Sequence, residues 1–310
     1  MFRLKIFLLF LVAFINFSCS RQITAEKEAS IVVEATEISF AVVGDFGVAG
    51  EPARKVADMI KGWNPEFIIS VGDNSYTDQT GIGMNENVGQ YYCDFIYNPD
   101  ASEIYRCNGR ATREKKNRFF PVTGNHDYEG NDPAVYLDYF TLPGAELYYD
   151  FVWGSVHFFA INSGPSGKTY NENSEMAQWL KNKLDKSEMP WKIVYFHHAP
   201  FSVGNHGNHV NMQWNFEEWG ASMVIAGHDH LYSRISKKPN ENFYYFINGL
   251  GGHPSRYSCK SNILDPQIFN FTCYNEDFGA MRINADSTRM QIGFFNITDT
   301  TPVDTLTLFK

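Results

Sequence analysis

An α/β fold is what this sequence predicts, with its chemistry gathered at the C-terminal ends of strands. Three observations point there. Short apolar runs alternate with a helical pattern, as in parallel strand–helix–strand units. Five such runs end in a residue able to hold a metal: Asp45, Asp73, Asn125, His198 and the pair His228/His230. The last part of the chain is β-rich. In open α/β sheets ligands bind outside the carboxyl ends of strands, so five separate ends are expected to converge.

The elements follow in order. Ile38 to Val43 (ISFAVV) is a β-rich run closing on Gly44-Asp45. Pro52 to Trp63 has helical spacing, with Val56, Met59 and Ile60 on one face. Phe67 to Val71 is a second buried strand, closing on Gly72-Asp73. The segment from Asp78 to about Lys116 is rich in Gly, Asn and Tyr and reads as a long insertion. Phe119 to Val122 is a third strand, followed by Gly124-Asn125-His126-Asp127. Leu147 to Trp153 and Ser155 to Ile161 form a strand pair turning at Gly154. Asn173 to Lys186 is an amphipathic helix. Lys192 to Phe196 is a strand ending at His197-His198, and Ala221 to Ala226 one ending at Gly227-His228-Asp229-His230. Four further strands are expected at 243–248, 279–283, 290–295 and 305–309.

Composition bounds the partners. The 310 residues are 16% aromatic and 20% charged, with a formal net charge of −9. That is an ordinary globular composition. An acidic chain does not attract nucleic acid through its overall field. If it takes an anionic substrate, the positive charge must be local, and bound metal ions supply it. The residues identify no protein partner.

The N-terminus reads as a targeting segment. Arg3 and Lys5 precede an unbroken apolar run from Ile6 to Ile15, which has signal-peptide length. Ser18-Cys19-Ser20 resembles a bacterial lipoprotein cleavage site. Residues 1–18 are therefore expected as signal, 19–36 as a flexible tether, and 37–310 as one catalytic domain. This implies an exported protein, periplasmic or at the cell surface and held to the membrane through a lipid on Cys19. The alternatives are a plain secretory signal and an uncleaved anchor. Four cysteines remain, as two pairs each fourteen positions apart. Local disulfides Cys93–Cys107 and Cys259–Cys273 are the simplest pairing in an oxidising compartment; the other two connectivities stay open.

Taken singly, each strand-end signal has an ordinary explanation, since Gly-Asp after a strand is common turn chemistry. Jointly they are specific: G-D-F-G, G-D-N-S-Y, G-N-H-D, H-H-A-P and G-H-D-H, in this order and each after an apolar run. The series is similar to the calcineurin-like metallophosphoesterases. Asp73-x-x-Tyr76 resembles the purple acid phosphatases, the tartrate-resistant acid phosphatase-like branch. N-G-L-G-G at 248–252 extends the likeness. The N-terminal segment, the insertion and the cysteine pairs lie outside it.

The resemblance implies two packed mixed β-sheets flanked by helices, with the metal site at strand C-terminal ends. It implies that Asp45, Tyr76 and His230 bind Fe(III), and that Asn125, His198 and His228 bind a second divalent metal (Fe, Zn or Mn). Asp73 would bridge the two. His126 would contact the phosphoryl group, with Asp127 orienting it. His206 resembles the second substrate-side histidine, and His209 competes for that role. Adjacent residues on a strand point to opposite faces, so one of His197 and His198 should face the site; the His-x-Pro spacing selects His198. His157 reads as structural, and Trp214 and Trp219 as core. The implied activity is hydrolysis of a small phosphate monoester, with a metal-bound hydroxide attacking phosphorus in line. The alternatives are a phosphodiesterase or nucleotidase on the same site, and a non-catalytic metal-binding surface lipoprotein.

Overall fold

The computed structural model describes residues 36–310, except 77–79, 101–106, 129–131, 145–146, 165–169 and 240–241. The signal segment and nearly all of the tether expected from the sequence lie outside the described residues. No helix among the described residues is long and apolar enough to cross a membrane.

In chain order the strands are β1 (Ile38–Val43), β2 (Phe67–Ser70), β3 (Phe119–Pro121), β4 (Tyr149–Trp153), β5 (Val156–Ala160), β6 (Trp191–His198) and β7 (Met223–Gly227). They continue as β8 (Tyr232–Lys237), β9 (Tyr244–Asn248), β10 (Phe269–Tyr274), β11 (Gly279–Ala285), β12 (Arg289–Asn296) and β13 (Asp304–Phe309). Two mixed sheets result. One has the order β13-β12-β11-β1-β2-β3, the other β10-β8-β9-β7-β6-β5-β4. In the first, β1, β2 and β3 are mutually parallel; in the second, β5, β6, β7 and β9 are. These parallel blocks carry the strand ends that the sequence singled out.

Why these runs are almost continuously apolar follows from the layers. Phe40 and Val42 of β1 and Phe67 and Ile69 of β2 face β5 and β6 residues Phe158, Ile193 and Tyr195 in a core between the sheets. The alternate residues Ala41, Val43 and Ile68 pack outward against the helix Glu51–Gly62 through Val56, Ala57 and Ile60. On the other side, Val194 and Phe196 of β6 pack against the helix Glu175–Lys186 through Ala177, Leu180 and Leu184. Strands covered on both faces cannot alternate polar with apolar. The helix Glu175–Lys186 starts where Ser174 accepts a hydrogen bond from the Ala177 N–H (3.2 Å), an ordinary N-cap.

Two strands were not expected from the sequence. β8 (YSRISK) hides its pattern because Ser233 and Ser236 are buried polar residues; Ser233 satisfies its hydroxyl on the Thr272 carbonyl (2.7 Å). β10 is a half-exposed edge strand pairing with β8. The insertion is more structured than its composition suggests. It holds helical turns at Gly81–Met84, Asn85–Gly89, Gln90–Tyr92 and Arg110–Glu114. The disulfide Cys93–Cys107 ties it together, and Cys259–Cys273 is formed as well. Asn87, buried in this insertion, donates to Ser75 Oγ (2.8 Å) and accepts from the Ala49 N–H (3.0 Å). The insertion thereby braces the two loops that follow β1 and β2.

Phe67 sits at the centre of the inter-sheet core. Its ring lies 4.7–6.0 Å from the rings of Phe40, Phe120, Phe151, Trp153 and Phe158. Phe67→Ala should lower the unfolding free energy by about 3–5 kcal/mol, the range for a buried aromatic truncation. Denaturant unfolding measures this, and a loss below about 1 kcal/mol would show that the layer can collapse around the gap.

Candidate metal centre

The loops after five strands form the site. Asp45 and Asp73 sit just beyond β1 and β2, and both adopt left-handed backbone, φ 54° and 52°. His228, just beyond β7, has φ 73°. Such conformations are disfavoured for residues with a Cβ and concentrate at functional sites. Here they turn side chains sharply off the strand ends into a common space. Neighbouring glycines make room: a Cβ on Gly124 would collide with Asp73, and one on Gly227 would crowd Asp45 Oδ2.

The side chains meet at short range. Tyr76 Oη lies 3.2 Å from Asp45 Oδ1 and 3.1 Å from His230 Nε2. Asp45 also accepts from the His228 N–H (3.0 Å). Asp73 Oδ1 accepts from the His126 N–H (3.0 Å), and its Oδ2 lies 3.3 Å from His197 Nε2. Asn125 Oδ1 is 3.2 Å from His197 Nε2, and His228 Nδ1 is 3.2 Å from the same atom. His198 packs its ring 4.4 Å from that of His228. All seven donors named from the sequence are thus brought to one place. Among the described residues, two groups have ligand atoms close enough to share an ion: Asp45, Asp73 and His197, and His197, His198 and His228.

Second partners hold the imidazole rings, and carbonyl acceptors set the tautomers of His197 and His230. His230 Nδ1–H donates to the Ser255 carbonyl (2.8 Å), leaving the Nε2 lone pair facing Tyr76. His198 Nδ1 is paired with Ser163 Oγ (2.8 Å). His197 Nδ1–H donates to the Val71 carbonyl (2.9 Å). A metal-binding histidine is usually held in this way, by its other ring nitrogen.

The electrostatics suit cations. Asp45 and Asp73 are buried, and their ion-pair partners are imidazoles. Burial pushes the Asp45 carboxyl up to about 8, with Asp73 adding to the rise and His197 opposing it. Burial also works to raise Asp73, but His197 and His126 hold it below the usual carboxylate range. Burial lowers His198, His228 and His230 and so keeps them neutral. Neutral imidazoles, an amide oxygen and carboxylates form a hard-to-borderline donor set, which suits ferric iron and divalent zinc, iron or manganese. The residues present therefore fit a binuclear centre.

The remaining candidates form a rim. His126 and His206 are exposed. The His126 ring lies 4.5 Å from Tyr76, and the His206 ring 4.0 Å from His228. His209 is there too, 4.7 Å from His198, so the structure brings both competing histidines to the site. Asp127 is buried, and its oxygens accept from the backbone N–H groups of Gly124 (2.8 Å), Asn74 (3.0 Å) and Ser75 (3.1 Å) and from the Asn74 amide (3.0 Å). It acts on His126 through the backbone of the turn Asn125–Asp127, which it closes against the loop after β2. His157 is structural as expected, held between Asp150 (2.9 Å) and Ser187 (2.8 Å). Trp214 and Trp219 pack in the outer core.

Three further residues reach the site without a role assigned from the sequence; of these His253, following Gly251-Gly252, was read as near it. Asp229 anchors the loop carrying His206: it accepts from the Ser202 hydroxyl and from the His206 N–H (2.9 Å). The G-H-D-H motif was visible, but nothing in it said that the middle carboxylate points toward residues 202–206. His253 lies 4.4 Å, ring to ring, from both Tyr76 and His230. His197 was expected to turn away from the site; instead it reaches in. Alternation along β6 puts His197 on the same inter-sheet face as Ile193 and Tyr195, and the site lies over that layer; the His-x-Pro spacing, which selected His198 alone, carried no information on this.

Residues 38–232 match the calcineurin-like phosphoesterase family, and the chain belongs to it. Among the proteins it is similar to are purple acid phosphatases. It is 24% identical to purple acid phosphatase 3 of Arabidopsis thaliana, over 90% of this chain and 80% of that protein. It is 23% identical to purple acid phosphatase 17 of the same plant, over 84% and 81%. The purple acid phosphatase PPD1 from yellow lupin seeds shares the fold, with a TM-score of 0.66 at 13% identity over 89% of this chain and 54% of that one. GAP50, the anchor in the inner membrane complex of Plasmodium, shares it with a TM-score of 0.64 at 18% identity over 88% and 89%.

The Asp45 carboxyl yields a stability prediction for metal-stripped protein. Its folded value of about 8 stands above the ordinary 3.8, so the folded state holds a proton that the unfolded state releases. Stability from this group is complete below pH 4 and is lost as pH rises toward 8. Asp45→Asn keeps the left-handed turn, which Asn tolerates, and removes the titration. Metal-stripped Asp45→Asn should therefore melt several degrees above metal-stripped wild type at pH 8 and match it near pH 4. Equal melting at both values would contradict the burial argument.

Proposed function

We propose that this chain hydrolyses small phosphate monoesters at a centre of two metal ions, one ferric and one divalent. The observation that supports it most is the convergence on Tyr76 Oη of Asp45 Oδ1 (3.2 Å) and His230 Nε2 (3.1 Å). A phenol, a carboxylate and an imidazole sharing one point make a donor set for a highly charged cation. Burial and the two carboxylates hold the Tyr76 phenol far above its ordinary range; iron at this point would stabilise the phenolate, a strong donor to Fe(III). Asn125, His198 and His228 are the divalent-ion donors, and Asp73 is placed to be shared. Two such ions, when bound, supply Lewis acidity, an activated water and a clamp on both oxygens of an in-line displacement.

The chain's own groups do the rest. Asp73 fixes the His126 backbone (3.0 Å), setting that imidazole over the centre. Asp229 fixes the His206 backbone (2.9 Å), setting the other. Their exposed ring N–H groups are positioned for the phosphoryl oxygens, where charge builds up in transfer, and one of them delivers a proton to the departing alcohol. The two disulfides accord with export to an oxidising compartment, and the lipid anchor at Cys19 belongs to the same proposal. The fold by itself does not decide the activity, since the Plasmodium anchor shares it.

Metal analysis and kinetics of the purified protein test this. The expected result is two metals per chain, one of them iron, with visible absorption that Tyr76→Phe abolishes while the fold persists. A monoester should be turned over roughly tenfold or more faster than a diester of the same chromogenic alcohol. The reverse ratio would favour the phosphodiesterase reading. A colourless, fully active two-zinc protein would remove the ferric assignment. Less than one metal per chain would leave the non-catalytic reading standing.

A further inference from the structure

We infer that Tyr257, which belongs to none of the strand-end motifs, gives the phosphoryl group of the substrate a third hydrogen-bond donor beside His126 and His206. This role rests on the phosphatase reading above and deepens it. The family match ends at residue 232, and Tyr257 lies further on, in the irregular segment between β9 and β10. Its ring stacks on that of His230 at 4.5 Å and 5°. It meets the His206 ring at 5.2 Å and 67°. His206 in turn stacks on His228 at 4.0 Å. Tyr257 therefore stands between a candidate donor to one ion and the exposed imidazole that sits over a candidate donor to the other.

The hydroxyl is what packing leaves unexplained. A ring kept only to support His230 needs its face and nothing at its tip. Tyr257 is partly exposed, and its hydroxyl hydrogen-bonds to no other described residue. A phenol is protonated at neutral pH and can donate; burial, and then the charges of Asp229, Asp45 and Asp73, act to keep it so. Those three carboxylates belong to the centre and to the anchor of the His206 loop, so the phenol looks toward the site. A neutral donor aimed where negative charge builds up is stabilising, provided that it is held in place. The backbone holds it. The Tyr257 N–H donates to the His230 carbonyl (2.9 Å), and the Tyr257 carbonyl accepts from the Asn275 amide (2.8 Å). Two residues on, Cys259 is bonded to Cys273 of β10, and the Lys260 N–H donates to the Val203 carbonyl in the His206 loop (2.7 Å). The neighbouring cation is drawn elsewhere: Arg256 donates to the Asn275 carbonyl (3.0 Å) and lies over the Phe278 ring.

Tyr257→Phe keeps the stack on His230 and deletes only the hydroxyl. The metal-loaded, full-length protein is titrated with inorganic phosphate by calorimetry, and hydrolysis of one chromogenic monoester is followed in parallel. Tyr257→Phe should bind phosphate roughly tenfold more weakly than wild type, the loss expected for one hydrogen bond to a charged group. Its kcat/KM should fall by a similar factor, while metal content and visible colour stay as in wild type. A ring that serves only to position His230 would leave both quantities unmoved, so phosphate affinity within about twofold of wild type overturns the inference. Should the variant fail to fold or lose its metals, a crystal structure of the wild-type protein with phosphate decides. A phosphate oxygen at about 3.2 Å or less from the Tyr257 hydroxyl upholds the inference, and a longer separation overturns it. A wild-type protein that takes up no metal and binds no phosphate refutes the phosphatase reading itself. A metal-loaded wild type that binds phosphate no better than Tyr257→Phe refutes only this step.

Discussion

Two carboxylates buried almost within reach of one another set the terms for the rest of the molecule. Asp45 and Asp73 leave the solvent at the ends of neighbouring parallel strands, and no lysine or arginine among the described residues pairs with them. Burying charge without compensation is expensive. The fold answers with imidazoles close by and with a geometry of candidate donors that a pair of cations would complete. The left-handed backbone at Asp45, Asp73 and His228, the glycines beside them and the buried histidines all follow from that one electrostatic demand.

Two further carboxylates perform a different task. Asp127 and Asp229 point into loops. Asp127 gathers backbone N–H groups from the segments after β2 and β3, so that Asp73 and Asn125 cannot move independently. Asp229 ties residues 202–206 to the end of β7, so that His206 stays over His228. Charge-assisted bonds from a carboxylate to backbone amides are strong, and here they give loops the precision usually reserved for strands. The disulfide-braced insertion adds a third support through Asn87. The outcome is a graded site, with buried donors below and exposed imidazoles at the rim.

Much of this was legible in the chain. The parallel strands announced themselves as apolar runs closing on Gly-Asp, Gly-Asn-His or Gly-His-Asp-His, because strands covered on both faces have no polar alternation to confuse the reading. β8 and β10 were illegible for the opposite reason: buried serines and an exposed edge break the hydrophobic signal. The helical turns of the insertion were hidden by Gly and Asn, residues of low helix propensity, which hold their turns through tertiary contacts and a disulfide.

What the sequence determined by itself is the identity and order of the candidate donors, since each motif is local and each follows a strand that its own residues specify. What only the tertiary structure decided is which neighbours join them. The His-x-Pro spacing selected His198 and left His197 as a neighbour or core residue, yet His197 lies on the inter-sheet face with Ile193 and Tyr195, and the site sits above that layer. Asp229 joins through its bond to the His206 N–H, 23 positions away in the chain, and His253 enters from the segment after β9. A one-dimensional pattern records which face of its own strand a residue takes, but it holds no record of what the opposing sheet and loops bring to meet it.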